Sequence, residues 1–130
     1  MTMKSFLYVI LPFILFSCGS ATSDSGKVID LTVSEWKDKR ANDPGIMLDV
    51  RTQEEYDEGY IEGCTHIDWY NDDFKASVEK LDKTKPIYVY CHSGGRSKKA
   101  ANLLVTLGFG EVYNLKGGIQ AWNNVGQTKD

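Results

Sequence analysis

Short apolar segments alternate with helix-like segments five times between residues 28 and 122 of this chain. The apolar segments are bounded by turn-forming residues, and several are rich in β-branched and aromatic side chains, as buried strands are. Strands that alternate with helices form parallel sheets that are covered by helices on both faces. The sequence therefore predicts a three-layer α/β/α fold with a five-stranded parallel sheet, its strands at residues 28–32, 46–50, 64–69, 85–90 and 111–115.

The segments between these strands carry signals that place helices there. The tetrapeptides Thr-Val-Ser-Glu and Thr-Gln-Glu-Glu are capping boxes, which open helices. A stripe of alanine and leucine side chains indicates a longer helix after the fourth strand, and Gly108 stands where a glycine often ends a helix. Helices are predicted over residues 32–40, 52–59, 71–81, 97–107 and 117–122.

The N-terminal segment has the pattern of a secretory signal peptide. Lys4 precedes an apolar stretch from Phe6 to Phe16, which is shorter than the ~20 residues that a membrane-spanning helix needs. The segment LFSCGS resembles a bacterial lipobox with Cys18 as the lipidated residue, although Phe16 is bulkier than the usual residue at its position. The predicted organisation is a lipoprotein signal peptide (1–17), the lipidated cysteine with a flexible tether (18–26) and a folded domain (27–130).

This organisation predicts where the protein is found. A lipid on Cys18 would hold the domain to a membrane on the periplasmic side of the bacterial cell envelope. Several acyl chains on one cysteine give stable anchoring, whereas a single chain binds membranes only marginally. The alternative is an ordinary signal peptide, or an uncleaved anchor, with an incidental cysteine.

The charge pattern limits the classes of partner that this protein is expected to bind. The net charge is −3, and acidic and basic residues are interspersed along the chain. There is no basic stripe of the kind that binds nucleic acid. We therefore expect no nucleic-acid partner.

The segment CHSGGRS follows the fourth predicted strand and precedes a helix. Ligands of such sheets bind beyond the carboxyl ends of the strands, which is where Cys91 lies. Gly94 and Gly95 allow the backbone N–H groups of residues 92–96 to point inward, and the helix N-terminus adds partial positive charge. With the cation of Arg96 nearby, the thiol is expected to have a lowered pKa and to be largely thiolate at neutral pH. Cys91 is therefore predicted to be a nucleophile.

Other roles for this segment are open at this point. A disulfide between Cys64 and Cys91 is an alternative, because a secreted domain with two cysteines often contains one. His92 is adjacent to Cys91, but neighbours on a loop usually point apart, so a surface position is favoured over a role as catalytic base. The only other histidine is His66, and no residue pair has the spacing of a zinc site. The phosphate-binding pattern Gly-x-x-x-x-Gly-Lys-Ser/Thr is absent, and we expect neither a metal nor a cofactor.

The loop resembles the C-x-x-G-x-R-S active-site loop of rhodanese-type sulfurtransferases. The segment LDVRTQEEYDEGYIEG (48–63) resembles the first signature of that family, and NLKGGIQAW (114–122) resembles its last. The resemblance covers about residues 28–122. It implies the strand order 3-2-4-5-1 and a nucleophilic Cys91. It also implies a persulfide- and substrate-binding loop formed by His92, Ser93, Gly94, Gly95 and Arg96.

Several neighbouring residues have open roles. The family usually has histidine where Tyr60 stands and a small residue where Cys64 stands. Asp49 and Arg51, at the end of the second strand, are candidate pocket residues, and Asp49 is equally a candidate for holding the backbone. Arg51 and Glu55 are four residues apart at a helix start, so we predict a structural ion pair between them.

The role of Arg96 is also open. It either attracts an anionic donor or closes the loop through a structural ion pair. Both roles are compatible with its place in the loop, and the sequence does not favour one over the other.

The length of the loop bears on the substrate. Four residues separate Cys91 from Arg96, as in the sulfurtransferases, whereas the related dual-specificity phosphatases and arsenate reductases have five. The resemblance thus implies an enzyme that moves sulfane sulfur from thiosulfate or a persulfide to cyanide or a thiol through a Cys91 persulfide. A thioredoxin-like protein is a further candidate partner.

Two alternatives to this enzyme are considered. One is a membrane-tethered module that relays sulfur or a disulfide to a protein partner. The other is an arsenate reductase or phosphatase, against which the short loop argues.

Overall fold

The computed structural model of the protein describes residues 26–127, so the predicted signal peptide and Cys18 lie outside the described residues. Strands and helices alternate throughout this part of the chain, and none of its helices combines the length and hydrophobicity of a membrane span. In chain order the elements are β1 (Lys27–Leu31), α1 (Val33–Asn42), β2 (Ile46–Asp49), α2 (Gln53–Asp57), β3 (Thr65–His66), α3 (Phe74–Glu79), β4 (Ile87–Tyr90), α4 (Gly95–Thr106), β5 (Glu111–Leu115) and α5 (Gly118–Gln127).

The five strands form one sheet in which all pairings are parallel. Their order is β1-β5-β4-β2-β3, which is the predicted order 3-2-4-5-1 read from the opposite edge. The predicted fold is therefore confirmed. Strand β4 lies between β5 and β2, and all of its residues are buried. The loop that follows β4 thus begins at the centre of the sheet, on the edge where parallel sheets bind ligands.

The side chains of β4 alternate between two halves of the core. Ile87 and Val89 face the half that includes buried residues of α3 and α4, and Cys91, next after the strand, lies on the same side. Tyr88 and Tyr90 face the other half, which includes residues of α1 and α5. This alternation follows from the two-residue period of a strand, and it requires helices on both faces of the sheet.

Strand β3 is shorter than predicted, at Thr65–His66. The N–H groups of Ile67 and Trp69 still donate to the carbonyls of Asp49 and Val50, each at 3.0 Å, so the chain continues beside β2. The residues that follow are acids and amides, which favour turns. They end the regular ladder earlier than the apolar pattern indicated.

Helices α3 and α5 differ most from their predicted lengths. Helix α3 begins only at Phe74, because residues 71–73 form a turn in which the Phe74 N–H donates to the Asn71 carbonyl at 3.0 Å. Helix α5 continues to Gln127, past the predicted end at Trp122. The two asparagines after Trp122 are weak helix formers, so the sequence pattern ended this helix too early.

The packing of α4 on the sheet leads to a stability prediction. Leu104 is fully buried, and its replacement with alanine is expected to lower the free energy of unfolding by about 2–5 kcal/mol, because a cavity remains. Urea unfolding followed by circular dichroism measures this loss. Asn102→Ala, on the exposed side of the same helix, is the control, with an expected change below about 0.5 kcal/mol. Equal effects of the two substitutions would contradict the described packing.

Candidate active site

The loop after β4 is held by a left-handed residue and a helix N-terminus. Cys91 is buried at the end of the strand, with an exposure of 1%. Gly94 has φ of 105°, a backbone conformation that favours glycine, and it is the N-cap of α4. Helix α4 begins at Gly95, two residues earlier than predicted, so Arg96 and Ser97 belong to its first turn. Of the two loop glycines, which were both expected to permit unusual backbone angles, only Gly94 has a positive φ.

The sulfur of Cys91 is surrounded by hydrogen-bond donors. The Gly94 N–H donates to Sγ at 3.1 Å. The hydroxyl of the fully buried Ser97 lies 3.3 Å from Sγ and 3.1 Å from the Gly94 carbonyl oxygen, and these two acceptors share its one proton. Burial raises the pKa of the Cys91 thiol, but hydrogen bonds from the Ser97 hydroxyl and from the N–H groups of Ser97, Gly94 and Ser93 outweigh it. The net pKa lies below the ordinary value of a cysteine, so the thiolate forms more readily here than in water.

Helix α5 orients the same loop from the other side. The N–H groups of Ile119 and Gln120 donate to the carbonyls of Cys91 and His92 at 2.9 and 3.1 Å. Gly118, with φ of 59°, makes this approach possible, because a Cβ atom there would lie 2.5 Å or less from both carbonyl oxygens. Since the two polar groups of a peptide point in opposite directions, binding the His92 carbonyl turns the N–H of Ser93 toward the sulfur.

Arg96 is engaged by a carboxylate. Its Nη2 lies 2.8 and 2.9 Å from the two oxygens of Glu55, and its guanidinium stacks over the Tyr70 ring at 5.8 Å. The pKa of Arg96 is raised, first by the hydrogen bond to Glu55 and less strongly by the charge of Cys91. Of the two roles open for Arg96, the described geometry is that of the ion pair.

The predicted ion pair between Arg51 and Glu55 was wrong. Arg51 pairs with Asp49, with Nη2 to Oδ2 at 2.7 Å and Nε to Oδ1 at 3.0 Å. An arginine with 4% exposure needs a buried counter-charge, and Asp49, with no exposure, supplies it two residues away. The Glu55 carboxylate is then free to reach Arg96. The second capping box is consequently half formed, because Thr52 accepts from the Glu55 N–H while the Glu55 side chain binds elsewhere.

Asp49 and Arg51 hold the walls of the site together. Arg51 also donates to the carbonyls of Glu55 at 3.1 Å and Gly59 at 2.7 Å, and Tyr90 donates its hydroxyl proton to Asp49 at 2.8 Å. Asp49 accepts from the Arg51 N–H as well, at 2.9 Å. Asp49 therefore holds the backbone and the Arg51 side chain, which is the second of the two roles considered for Asp49. Arg51, in contrast, reaches the surface of the site.

A groove opens beside the Cys91 loop. It has a volume of about 470 Å³, and Arg51 and the exposed His92 form part of its wall. The other lining residues come from the end of α2 and from α5: Glu58, Gly59, Tyr60, Ile119, Gln120, Asn123 and Asn124. The groove reaches the loop through His92, the residue after Cys91, and Cys91 itself is not among its lining residues.

Cys64 and Cys91 are both free thiols. Cys64 is half-buried and packs in the core half that contains Tyr90, whereas Cys91 belongs to the opposite half. Burial raises the pKa of the Cys64 thiol. The sheet separates the two cysteines, so the alternative of a Cys64–Cys91 disulfide has no support in this arrangement.

Sequence reasoning missed three residues that shape the site. Ser97 was used only as a helix start, although it closes the C-x-x-G-x-R-S pattern. Glu55 was assigned to the wrong arginine. Gly118 was included in the last signature without a role, and its contact with the Cys91 carbonyl depends on a long-range approach that no local pattern reveals.

These features define a class of protein: a parallel α/β domain whose central strand ends in a buried cysteine, with its sulfur held by hydrogen-bond donors. The sequence model of the rhodanese-like domain family matches residues 32–125. The chain therefore belongs to the rhodanese-like domain family.

Named relatives agree with this assignment. Thiosulfate sulfurtransferase GlpE of Coxiella burnetii is 39% identical over 85 residues, which make up 65% of this chain and 78% of that protein. The protein of the same name from Pseudomonas fluorescens is 36% identical over 77 residues, or 59% of this chain and 69% of that protein.

Solved structures are similar as well. A crystal structure of a rhodanese-like domain protein from Staphylococcus aureus matches with a TM-score of 0.64 and 32% identity, over 72% of this chain and 90% of that one. A rhodanese-related protein from Thermoplasma volcanium matches with a TM-score of 0.66 and 26% identity, over 75% of this chain and 93% of that one.

The hydroxyl of Ser97 is expected to control how readily Cys91 ionises. Ser97→Ala removes a donor that lowers the thiol pKa, so the pKa should rise and the thiolate should form only at higher pH. Alkylation of Cys91 by iodoacetamide as a function of pH measures this, and its rate near pH 6 is expected to fall severalfold. Ser93→Ala is the control, because Ser93 acts through its N–H and not through its exposed hydroxyl. An unchanged pH profile in Ser97→Ala would contradict the role of the hydroxyl.

Proposed function

We propose that this protein is a sulfurtransferase that moves sulfane sulfur from a donor such as thiosulfate or a persulfide to a thiophilic acceptor, cyanide or a thiol. The observation that carries the proposal is the buried Cys91 sulfur with its lowered pKa, held by Gly94 and Ser97, in a chain whose relatives include proteins named thiosulfate sulfurtransferase. A small sulfur donor and a thiol or cyanide acceptor are the proposed partners, with a thioredoxin-like protein as a further one.

The proposed reaction has two halves. The Cys91 thiolate attacks the outer sulfur of the donor, the bond to the rest of the donor breaks, and the leaving group departs with the electron pair. Cys91 then carries a persulfide with an anionic terminal sulfur. In the second half the acceptor attacks that sulfur, and Cys91 returns to the thiolate. This is covalent catalysis with two successive transfers.

The loop supplies the stabilisation of negative charge that both halves of the proposed reaction need. The N–H groups of Ser93 and Gly94 and the hydroxyl of Ser97 stabilise negative charge at the sulfur of Cys91. They are already oriented by α4 and α5, so they stabilise this charge without reorganisation. His92 is exposed at the groove and is not assigned a proton transfer.

Phosphate or arsenate chemistry is less well supported. Enzymes that bind a tetrahedral oxyanion use a guanidinium fork to hold two of its oxygens. Here one nitrogen of that fork, Nη2 of Arg96, is bound by both oxygens of Glu55. Together with the four-residue spacing between Cys91 and Arg96, this contact favours sulfur transfer.

We also propose that the domain is a lipoprotein of the bacterial cell envelope. The supporting pattern is the signal peptide over residues 1–17 followed by Cys18 and a polar tether to residue 26. The domain would then face the periplasm, held to the membrane through the lipid on Cys18.

Cys91 is expected to carry the transferred sulfur. After incubation with thiosulfate, intact-mass analysis of the purified protein should show a gain of one sulfur atom, which is lost on addition of cyanide. Cys91→Ser should abolish both this gain and thiocyanate formation. Cys64→Ser is the matched control and should retain both, because Cys64 lies in the opposite core half.

The outcomes of this experiment separate the candidate functions. Sulfur loading without steady-state thiocyanate formation would favour a relay module over an enzyme. Thiocyanate formation that survives in Cys91→Ser would contradict the proposal.

Lipidation is expected to depend on Cys18. In cells that express the full chain, labelled palmitate should be incorporated into the wild type, and the protein should sediment with membranes. Cys18→Ser should abolish the incorporation. Label that is absent from the wild type, or that persists in Cys18→Ser, would contradict the lipoprotein assignment.

A further inference from the structure

The chain enters the sheet at the edge opposite the Cys91 loop. All strand pairings are parallel, so every strand begins at one edge, the amino-terminal edge, and ends at the other, the carboxyl-terminal edge. Strand β1 begins at Lys27, so a lipid on Cys18 would be attached through the amino-terminal edge. Cys91 follows β4 at the carboxyl-terminal edge. With a rise of about 3.3 Å per residue, the strand from Lys85 to Cys91 separates the two edges by roughly 20 Å.

Basic side chains gather at the amino-terminal edge. Helix α1 runs from the end of β1 to the beginning of β2, so its last turn, with Lys39 and Arg40, lies at this edge. Lys83 and Lys85 line a cleft that also includes residues before β2 and β5. The edge carries five cations and three acids: Lys27, Lys39, Arg40, Lys83 and Lys85, and Asp43, Asp82 and Glu111. Within residues 26–127 none of these cations forms an ion pair.

Acidic side chains gather at the carboxyl-terminal edge. Residues 52–74 contain eight Asp and Glu residues and no Lys or Arg. This stretch stays beside the end of β2, because the N–H of Trp69 still donates to the Val50 carbonyl at 3.0 Å. In the part of the chain that the structure describes, Glu55 is the one carboxylate of the eight that lies in an ion pair. The sheet edge beside Cys91 therefore carries a surplus of negative charge.

The cations near the Cys91 loop do not cancel this surplus. Lys98 donates to Asp30 at 2.9 Å, and Lys116 lies near the same carboxylate, so the two lysines and Asp30 leave one positive charge. Lys75 and Lys99 are exposed near the beginnings of α3 and α4 and add two more. The unpaired carboxylates of residues 52–74 outnumber these charges. The domain is thus polarised along the strand direction, positive where the chain enters and negative beside the nucleophile.

An anionic lipid surface acts on such a polarised domain. It attracts lysine and arginine side chains and repels carboxylates, and both effects fade within a Debye length of about 8 Å at physiological ionic strength. The two edges are further apart than this, so the surface acts mainly on the edge that faces it. The covalent anchor does not fix the orientation by itself, because the residues from Cys18 to Lys27 span at most roughly 30 Å. The charges therefore decide which edge approaches the lipid.

We propose that the amino-terminal edge, with Lys27, Lys83 and Lys85, docks on anionic lipid headgroups and that the Cys91 loop faces the aqueous phase. This inference rests on the proposed lipid anchor and names the surface that the anchored domain presents to the membrane. Its consequence for the proposed reaction is that the sulfur donor and acceptor reach Cys91 from water and not from within the bilayer.

Labels on opposite edges test this orientation. Ala41 is exposed in the last turn of α1, and Asn71 is exposed in the turn after β3, so both are neutral sites for a thiol-reactive dye. Ala41→Cys and Asn71→Cys are each made in the full chain with Cys64→Ser and Cys91→Ser, so that the dye reacts at one position.

The lipidated protein is added to preformed vesicles of phosphatidylcholine and phosphatidylglycerol that contain a lipid with a nitroxide on its headgroup. The nitroxide quenches fluorescence only at short range. We expect quenching in Ala41→Cys to be at least about threefold stronger than in Asn71→Cys, because the labelled edges lie at different distances from the headgroups.

Charge reversal at the amino-terminal edge should remove this difference. In Lys83→Glu with Lys85→Glu the ratio of quenching between the two labels is expected to fall below about 1.5. Lys75→Glu with Lys99→Glu is the matched control, because it makes the same change in net charge at exposed positions away from this edge, and its ratio should stay at about threefold or above. Vesicles of phosphatidylcholine alone, or high ionic strength, should also remove the difference.

The exposure of Cys91 is measured separately in Cys64→Ser. Alkylation of Cys91 by iodoacetamide, which is water-soluble, should proceed on anionic vesicles within about twofold of its rate in detergent micelles, because the loop faces water. A larger fall on the vesicles would place the loop against the lipid and overturn the proposal.

The remaining outcomes separate this inference from the lipid anchor on which it rests. Equal quenching of the two labels, stronger quenching in Asn71→Cys, or the same loss of difference in Lys75→Glu with Lys99→Glu would overturn the docking of the amino-terminal edge. If the wild type is not lipidated, the proposed anchor fails and the inference fails with it. If the protein is lipidated and bound to the vesicles but the labels do not differ, only the orientation fails.

Discussion

A buried cysteine sulfur that must be able to ionise at the end of the central strand is the constraint on which the rest of this structure depends. Removing an anion from water is costly unless fixed dipoles replace the lost hydration. The fold supplies these dipoles from three places: the left-handed Gly94, the first turn of α4 through Ser97, and α5 through the carbonyls of the loop. Helix α5 is distant in sequence from Gly94 and Ser97. The site therefore exists only when the parallel sheet has brought α4 and α5 together.

The buried pair of Asp49 and Arg51 is a second constraint, and it decides the charge of the site. Once Arg51 is neutralised inside the fold, its remaining donors bind the carbonyls of Glu55 and Gly59 and fix the backbone of α2 and the residues after it. The Glu55 side chain is then directed outward to Arg96. A change at Asp49 would thus reach the Cys91 loop through two ion pairs, although Asp49 does not contact the sulfur.

The fold could be predicted because its signals are local. The five apolar segments and the helix signals between them define the alternation, and the strand order followed from the resemblance of three motifs. The first capping box formed as expected, because the Thr32 N–H donates to the side chain of Glu35 at 2.8 Å. Short segments were less predictable, because β3 depends on hydrogen bonds to β2 that a sequence pattern does not show.

The contacts of the site were harder to predict than its location. Cys91 stood out because a reactive side chain followed a buried strand and preceded two glycines. The partner of Arg51 could not be chosen from spacing alone, because Asp49 at two residues and Glu55 at four are both within reach of a long side chain. The pairing depends on burial: the more deeply buried carboxylate, that of Asp49, pairs with the more deeply buried arginine, Arg51. Burial of this kind is a property of the packed fold and is invisible in a list of residues.

Stabilisation of the Cys91 sulfur by neutral donors affects its nucleophilicity differently from stabilisation by a free cation. A thiolate stabilised by a cation beside it is a weaker nucleophile to the extent that its pKa falls, and the best attacking thiol has a pKa near the ambient pH. Hydrogen bonds from Gly94 and Ser97 lower the pKa of Cys91 against the opposing effect of burial, so the two influences partly offset each other. The pairing of Arg96 with Glu55 acts in the same direction, since an unpaired guanidinium would hold an anionic sulfur in place, whereas the proposed transfer requires that the sulfur leave.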